Sequence, residues 1–196
     1  MALIPVRKIN VIAFVGKAGS GKTTAAKYLV EKDRYRRLSF SDGLKLMLGK
    51  GLGIPNEYLY GDSKNEPCDQ LCGRTARHAM ITLGTEWGRD MIHPDIWVNT
   101  LTRDMITYIK MGIDRIVIDD VRFLNEANWV KSLNEKGMTA RIVRILRGEN
   151  KQSTDHRSEI EQDAIEVDWE IWNNDTVESM CRSIDGILYA LFEKEK

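Results

Sequence analysis

The segment Gly16-Lys-Ala-Gly-Ser-Gly21-Lys22-Thr23 constrains this chain most, because glycines at this spacing have a use only between a buried strand and a helix. Ahead of it, Asn10-Val-Ile-Ala-Phe-Val15 is an apolar run that predicts a strand buried on both faces. Behind it, Thr24-Ala-Ala-Lys-Tyr-Leu-Val30 predicts a helix with Ala26, Leu29 and Val30 on one side. Strand, glycine loop and helix in that order build an anion cradle. The loop curls so that several N–H groups converge, the helix N-terminus adds its positive dipole end, and Lys22 adds a full charge toward the outer phosphates. Gly16, Lys17, Ala18, Gly19, Ser20, Gly21, Lys22, Thr23 and Thr24 are therefore the expected contacts to a nucleotide, and the Thr23 hydroxyl is placed to ligate Mg²⁺. The competing reading, a glycine-rich turn with a surface lysine, does not account for the flanking elements.

The 196 residues suffice for one well-filled core and are few for two independent domains, so one domain with inserted lobes is expected. Lys plus Arg and Asp plus Glu each number 29, which leaves no global charge to attract a nucleic-acid polymer. Phosphate chemistry must come from local clusters. No apolar run approaches the roughly 20 residues of a membrane span, and the opening residues do not read as a leader, so a soluble, cytoplasmic chain is expected. Cys68, Cys72 and Cys181 are an odd number and read as free thiols; Cys68 and Cys72 lack a second pair at zinc spacing.

Arg36–Phe40 predicts a second strand, after which Asp42 is placed to cap a helix carrying Leu44, Leu46, Met47 and Leu48. Residues 49–69 read as loop with short helical pieces, and 74–89 and 95–110 as helices, the latter with Val98, Leu101, Met105 and Ile109 on one face. Arg115–Asp120 is a further strand, followed by a helix near 125–136, strands at 140–146 and 168–172, and a last helix lined by Val177, Met180, Cys181, Ile184, Ile187, Leu188 and Leu191. Alternating strands and helices imply an α/β fold with a parallel sheet flanked by helices, ligands gathering at the carboxyl ends of its strands.

Asp119 and Asp120 end an Ile-Val-Ile run, where a phosphate-handling enzyme needs a carboxylate for Mg²⁺. Alternation along a strand turns them to opposite sides, and Asp120 is favoured for the metal. Charge spreading over a moving phosphoryl group calls for arginines, and Arg74, Arg77, Arg89, Arg122, Arg147 and Arg157 cluster near strand ends. Asp120-Val-Arg122-Phe-Leu-Asn-Glu126 either fixes a nucleotide or forms a helix-start ion pair; both readings stand. Asp155-His156-Arg157-Ser158-Glu159 reads as a helix start within a segment that closes over the phosphates, and Trp87 and Trp97 either stack on a base or fill a core.

Taken together, the glycine loop, Ser39-Phe-Ser41-Asp42-Gly-Leu-Lys45, Leu83-Gly-Thr-Glu86-Trp-Gly-Arg89 with Trp97, Asp120-Val-Arg-Phe-Leu-Asn-Glu126 and His156-Arg-Ser-Glu159 resemble the bacteriophage deoxynucleoside monophosphate kinases over nearly the whole chain. The resemblance implies a P-loop NTPase fold of the adenylate-kinase kind. Its core is about 1–40, 111–146 and 164–196, its inserted nucleotide-monophosphate-binding lobe about 41–110 and its lid about 147–163. It implies transfer of the ATP γ-phosphoryl group to a deoxynucleoside 5′-monophosphate, giving the diphosphate for phage DNA synthesis in the host cytoplasm. Lys22, Arg122, Arg147 and Arg157 would act on the transferring group, and Thr23 and Asp120 would serve Mg²⁺. Ser41, Asp42, Lys45, Arg74, Arg77, Glu86, Arg89, Trp97, Asp120, Arg122 and Glu126 would hold the acceptor. The partners implied are small molecules, with no nucleic-acid polymer and no membrane; monomer and homodimer are both open. The residues leave two alternatives standing: another small-molecule kinase, acting on dephospho-coenzyme A or a nucleoside, and a nucleotide-dependent switch. Against the switch, Asn173-Asn-Asp175 lacks the lysine of a guanine reader.

Overall fold

The computed structural model describes residues 8–148 and 157–192, with the side chains of 158, 159 and 192 left aside. The chain divides into two compact units, one from the segments up to Ser39 and from Ile106 onward, the other Phe40–Met105.

The first unit is built on a parallel sheet. Its described strands are β1 (Asn10–Val15), β2 (Arg36–Leu38), β3 (Arg115–Val121), β4 (Thr139–Leu146) and β5 (Trp169–Trp172), in the order β2-β3-β1-β4-β5. The central strand β1 pairs in parallel with β3 on one side and β4 on the other, and Val11 through Val15 are all buried. An unbroken apolar run is what a strand covered on both faces requires. The chain moves from β1 outward to β2, returns to β3, then crosses β1 to reach β4. The direction of travel thus reverses at β1, and the crevice at its carboxyl end is where such sheets place ligands.

Helix α1 (Lys22–Asp33) lies over one face of this sheet, burying Ala25, Ala26 and Leu29 with Ile12, Phe14, Val117 and Val143. Val30, expected on that face, is 38% exposed; the 3.6-residue period gives its place to Ala25. In the last helix (Val177–Phe192) the expected stripe is present at Met180, Ile184 and Ile187, whose burial contributes about 2 kcal/mol each. Val177 lies before the stripe closes and is exposed. Tyr28 and Lys32 of α1 both hydrogen-bond Asp185 of that helix, at 2.8 and 2.7 Å.

In the second unit, helix α2 (Asp42–Leu52) buries Leu44 and Leu48, one turn apart, and exposes Leu46 and Met47. Asp42 is its first helical residue rather than its cap, and Ser41 stands at the cap position without a side-chain cap bond. α2 runs into the stretch expected as loop, which then holds the short α3 (Asn56–Tyr60) and two 3₁₀ turns. The helix expected at 74–89 is α4 (Ala76–Ile81), continued by an 11-residue π-helix, Thr82–Ile92. Thr75 caps α4 by accepting the His78 N–H at 3.1 Å. Helix α5 (Ile96–Lys110) follows, with Trp97, Val98, Leu101 and Met105 buried. Among the described residues no helix is long and apolar enough to cross a membrane.

Candidate nucleotide site

At the end of β1 the chain turns through Gly16 and Gly21, at φ +146° and +110°, conformations that side chains rarely adopt. Gly16 is doubly required, since a Cβ there would stand 2.3 Å from the Ile145 carbonyl oxygen of the neighbouring strand. The Ser20 N–H closes a turn onto the Lys17 carbonyl at 3.1 Å, and α1 then starts with the Ala25 N–H on the Gly21 carbonyl at 2.9 Å.

The loop's carbonyls are drawn onto side-chain donors. Lys22 donates from Nζ to the Gly16 carbonyl and, at 2.8 Å, to that of Lys17. Arg147 Nη1 reaches the Gly19 carbonyl at 3.4 Å, and Asn173 Nδ2 donates to Ser20 O at 2.8 Å. Lys22 is only 7% exposed, so this lysine is built into the loop. Ser20 is 1% exposed, and its Oγ has no hydrogen-bond partner among the described residues. A buried hydroxyl left this way costs free energy unless it meets a ligand. Beside the loop lies a cavity of about 300 Å³ lined by Gly19, Gly21–Thr24, Arg147, Asn173, Asp175, Val177 and Met180. Thr23 and Thr24 are exposed, and Lys17 Nζ stands 3.4 Å from the Asp163 carboxylate.

The two aspartates at the end of β3 part company as alternation requires. Asp119 is buried and accepts from Arg37 Nε at 2.8 Å, whereas Asp120 is half-buried and accepts from the Ser39 hydroxyl. Sequence reasoning misses the roles of Arg37 and Ser39. Their one signal is a basic and a hydroxyl residue inside an otherwise buried strand region. At 1% exposure Glu126 accepts the backbone N–H groups of Arg122 and Phe123 on its Oε2, at 2.7 and 3.1 Å. The carboxylate fastens the start of helix α6 (Leu124–Ser132) through these backbone donors. Arg157, first residue of α7 (Arg157–Glu161), has its guanidinium carbon 6.0 Å from the Phe123 ring centroid and bonds Glu161 at 2.6 Å. Asp155 and His156 lie outside the described residues, as do the side chains of Ser158 and Glu159.

In the second unit, the Trp97 indole is 3% exposed and donates to the Gly84 carbonyl at 2.7 Å, so it fills a core rather than presenting a stacking face. Its ring lies against Gly88, where a Cβ would meet indole atoms at 2.8 and 2.9 Å. Arg89 is also buried, with Nη1 on the Pro94 carbonyl at 3.1 Å. The Lys45 ammonium sits 4.6 Å from the centre of the Tyr60 ring. Ser41, Asp42 and Arg77 are half-buried, and Arg74 and Glu86 are exposed. Among the described residues there is no group of three or more His, Cys, Asp or Glu side chains able to hold a metal. Cys181, on the last helix, has its thiol pKa pushed up by burial and by the nearby Asp185 and Glu178 carboxylates.

A family model described as deoxynucleotide monophosphate kinase matches residues 64–184, a span that leaves out the glycine loop. An Acanthamoeba polyphaga mimivirus protein named "Putative deoxynucleotide monophosphate kinase" is 33% identical over 186 residues, covering 88% of this chain and 93% of its own. The deoxynucleoside-5′-monophosphate kinase of Escherichia phage T5 is 26% identical, covering 74% of this chain and 81% of its own. Among solved structures, TT1252 from Thermus thermophilus aligns over 94% of this chain and 98% of its own with a TM-score of 0.51 at 15% identity. A Chloroflexus aurantiacus protein designated a putative kinase aligns over 95% and 99% with a TM-score of 0.52 at 13% identity, and these two likenesses concern the fold alone. On the matched span and the mimivirus relative, the chain belongs to the deoxynucleotide monophosphate kinase family.

Proposed function

We propose that this chain moves the γ-phosphoryl group of ATP to a deoxynucleoside 5′-monophosphate. The observation that carries the donor half is the loop itself: four of its carbonyls are drawn onto Lys22, Arg147 and Asn173, while the buried Ser20 hydroxyl has no partner among the described residues. A loop so arranged presents donors to an anion and keeps its acceptors turned away, which is the chemistry a polyphosphate needs. Family membership supports the acceptor half.

In this reading Gly16–Thr24 wrap the donor's phosphates, and Lys22 follows the charge that develops as the γ-phosphoryl group leaves. Arg122, Arg147 and Arg157 add charge around the same group through their planar forks. Thr23 and Asp120 are the oxygen ligands suited to Mg²⁺, a hydroxyl at a helix start and a half-buried carboxylate at a strand end. Held there, Mg²⁺ would supply positive charge against that of the phosphates. Asp119 is held in the pair with Arg37, and Asp120, which accepts from the Ser39 hydroxyl, is the carboxylate proposed for this work. In the first unit Asp120 and Arg122 are the proposed acceptor contacts; in the second unit they are Ser41, Asp42, Lys45, Arg74, Arg77, Glu86 and Arg89. Trp97 and Glu126 act behind them, as supports of the Leu83–Arg89 and Asp120–Glu126 segments. No covalent intermediate is required: the acceptor phosphate oxygen attacks the γ-phosphorus in line as the bond to the ADP oxygen breaks.

The test is ATP labelled at the γ-phosphate, incubated with each deoxy- and ribonucleoside monophosphate in turn, with the products resolved. Label appearing in one or more deoxynucleoside diphosphates is expected. Label confined to dephospho-coenzyme A or a nucleoside, or released as phosphate without regard to the acceptor, would replace this reading with one of its rivals.

A further inference from the structure

Asn173 stands one residue beyond β5, and its backbone N–H donates to the Leu146 carbonyl at the end of β4 at 2.7 Å. Its position is thus set by the ends of two adjacent strands. From there its side-chain amide donates to the Ser20 carbonyl at 2.8 Å. It lies so close over the loop that a Cβ on Gly21 would stand 2.5 Å from Nδ2.

In a trans peptide the C=O and the N–H point opposite ways. Drawing the Ser20 carbonyl onto Asn173 therefore turns the N–H of the same peptide unit, that of Gly21, in the other direction. Gly21 N–H has no hydrogen-bond partner among the described residues, and Gly21 and Asn173 both line the cavity beside the loop. Flanked by glycine at φ +110°, this peptide unit has little steric resistance to turning over. If it turned, it would present a carbonyl oxygen where a phosphate oxygen needs a donor.

We propose that Asn173 is a positioning residue for the donor nucleotide: it holds the Ser20–Gly21 peptide in the one orientation that presents Gly21 N–H to a phosphate. The inference rests on the reading of the loop as an ATP site. It assigns a role to a residue outside the glycine motif, contributed by the far end of the sheet.

The test compares wild type with Asn173→Ala, with the isosteric Asn173→Leu, which has no donor, and with Asn173→Gln, which keeps one. ATP dissociation constants come from calorimetry without acceptor, and KM for ATP and for the acceptor from steady-state rates. Loss of the donor should weaken ATP binding tenfold or more, equivalent to about 1.4 kcal/mol, because one charged hydrogen bond is lost and a carbonyl is free to oppose the phosphate. The acceptor KM should stay within twofold, and Asn173→Gln should recover part of the loss. ATP affinity within twofold of wild type in folded Asn173→Ala or Asn173→Leu would overturn the proposal. So would an acceptor KM that rises as much as that for ATP, or failure of both variants to fold, which would make Asn173 a residue of folding. A wild-type protein that binds ATP yet phosphorylates no deoxynucleotide would instead sink the functional reading, and the calorimetry would still decide the role of Asn173. A wild-type protein that does not bind ATP would sink both.

Discussion

The phosphate loop and the Leu83–Arg89 segment are both short stretches punctuated by glycine, yet their glycines answer to different physics. Gly16 and Gly21 are there for backbone shape, at positive φ, so that a chain can bend around an anion. Gly84 and Gly88 sit in a π-helix with helical backbone and are buried; Gly88 is small so that the Trp97 indole can lie against it and donate to the Gly84 carbonyl, and a Cβ on Gly84 would stand 3.3 Å from the Leu44 side chain. The first segment binds by exposing backbone donors, whereas the second builds a core by removing side chains. Replacing a glycine of the first should therefore cost activity, and replacing a glycine of the second should cost stability.

The largest expected effect is on the first side. Lys22→Ala removes the buried full charge of the loop and should lower kcat/KM for ATP by about a thousandfold. Circular dichroism should remain that of the wild type, because the substitution removes hydrogen bonds to two loop carbonyls and leaves the core packing in place. Near-wild-type turnover would break the comparison.

On the second side, Gly88→Ala forces a methyl to within 2.8 Å of the indole and 2.9 Å of the Leu83 carbonyl. It should destabilise the fold by about 2–3 kcal/mol, a loss of roughly 5–10 °C in Tm, while KM for ATP stays within twofold. A wild-type Tm with a raised KM would place Gly88 with the loop glycines.

The two aspartates of β3 repeat the comparison within one strand. Asp119→Asn breaks the ion pair with Arg37 and should cost about 2 kcal/mol in stability, below the range for fully buried pairs because Arg37 keeps 31% of its side chain exposed. Asp120→Asn should leave Tm within a degree or two, an effect of about the size expected of partly exposed groups, and lower kcat instead. Urea unfolding and steady-state rates on the same preparations separate the two.

The smallest effect is electrostatic. Burial pushes the Asp185 carboxyl pKa up, but hydrogen bonds from Lys32 and Tyr28 outweigh this and leave it below its usual value. A carboxylate whose folded pKa is depressed contributes stability above its unfolded pKa and loses it as pH falls through the folded value. Lys32 is shifted the other way, raised chiefly by the Asp185 hydrogen bond, so its share is present until strongly alkaline pH. Asp185→Asn should thus lower Tm by about 2 °C at neutral pH, and the difference from wild type should vanish in acid. A difference that grows on acidification would contradict the assignment.

These contrasts also explain what can be read from the sequence. The loop, β1 and the parallel sheet are legible because backbone-mediated anion binding and buried parallel strands impose their patterns on consecutive residues. The period also places most of the last helix, missing only Val177, where the end of a helix runs past its packing partner. The site roles that depend on tertiary neighbours are less legible. No local pattern distinguishes a tryptophan that stacks on a base from Trp97, whose partners are glycines in a widened helical turn. Likewise no local pattern shows that Glu126 accepts the backbone N–H groups of Arg122 and Phe123. Asn173 stands out in the sequence only for lacking the lysine of a guanine reader, because its bond to Ser20 joins residues from opposite ends of the chain.

The central claim is that the loop delivers a phosphoryl group to a deoxynucleotide and not to water. A single-turnover experiment with γ-labelled ATP tests it most directly, run with enzyme in excess, with and without deoxynucleoside monophosphates, for wild type and Lys22→Ala. Label should pass to the deoxynucleoside diphosphate in wild type, with little released when acceptor is absent, and Lys22→Ala should pass label neither to the deoxynucleotide nor to water. Label released as inorganic phosphate at the same rate whether or not acceptor is present would contradict it.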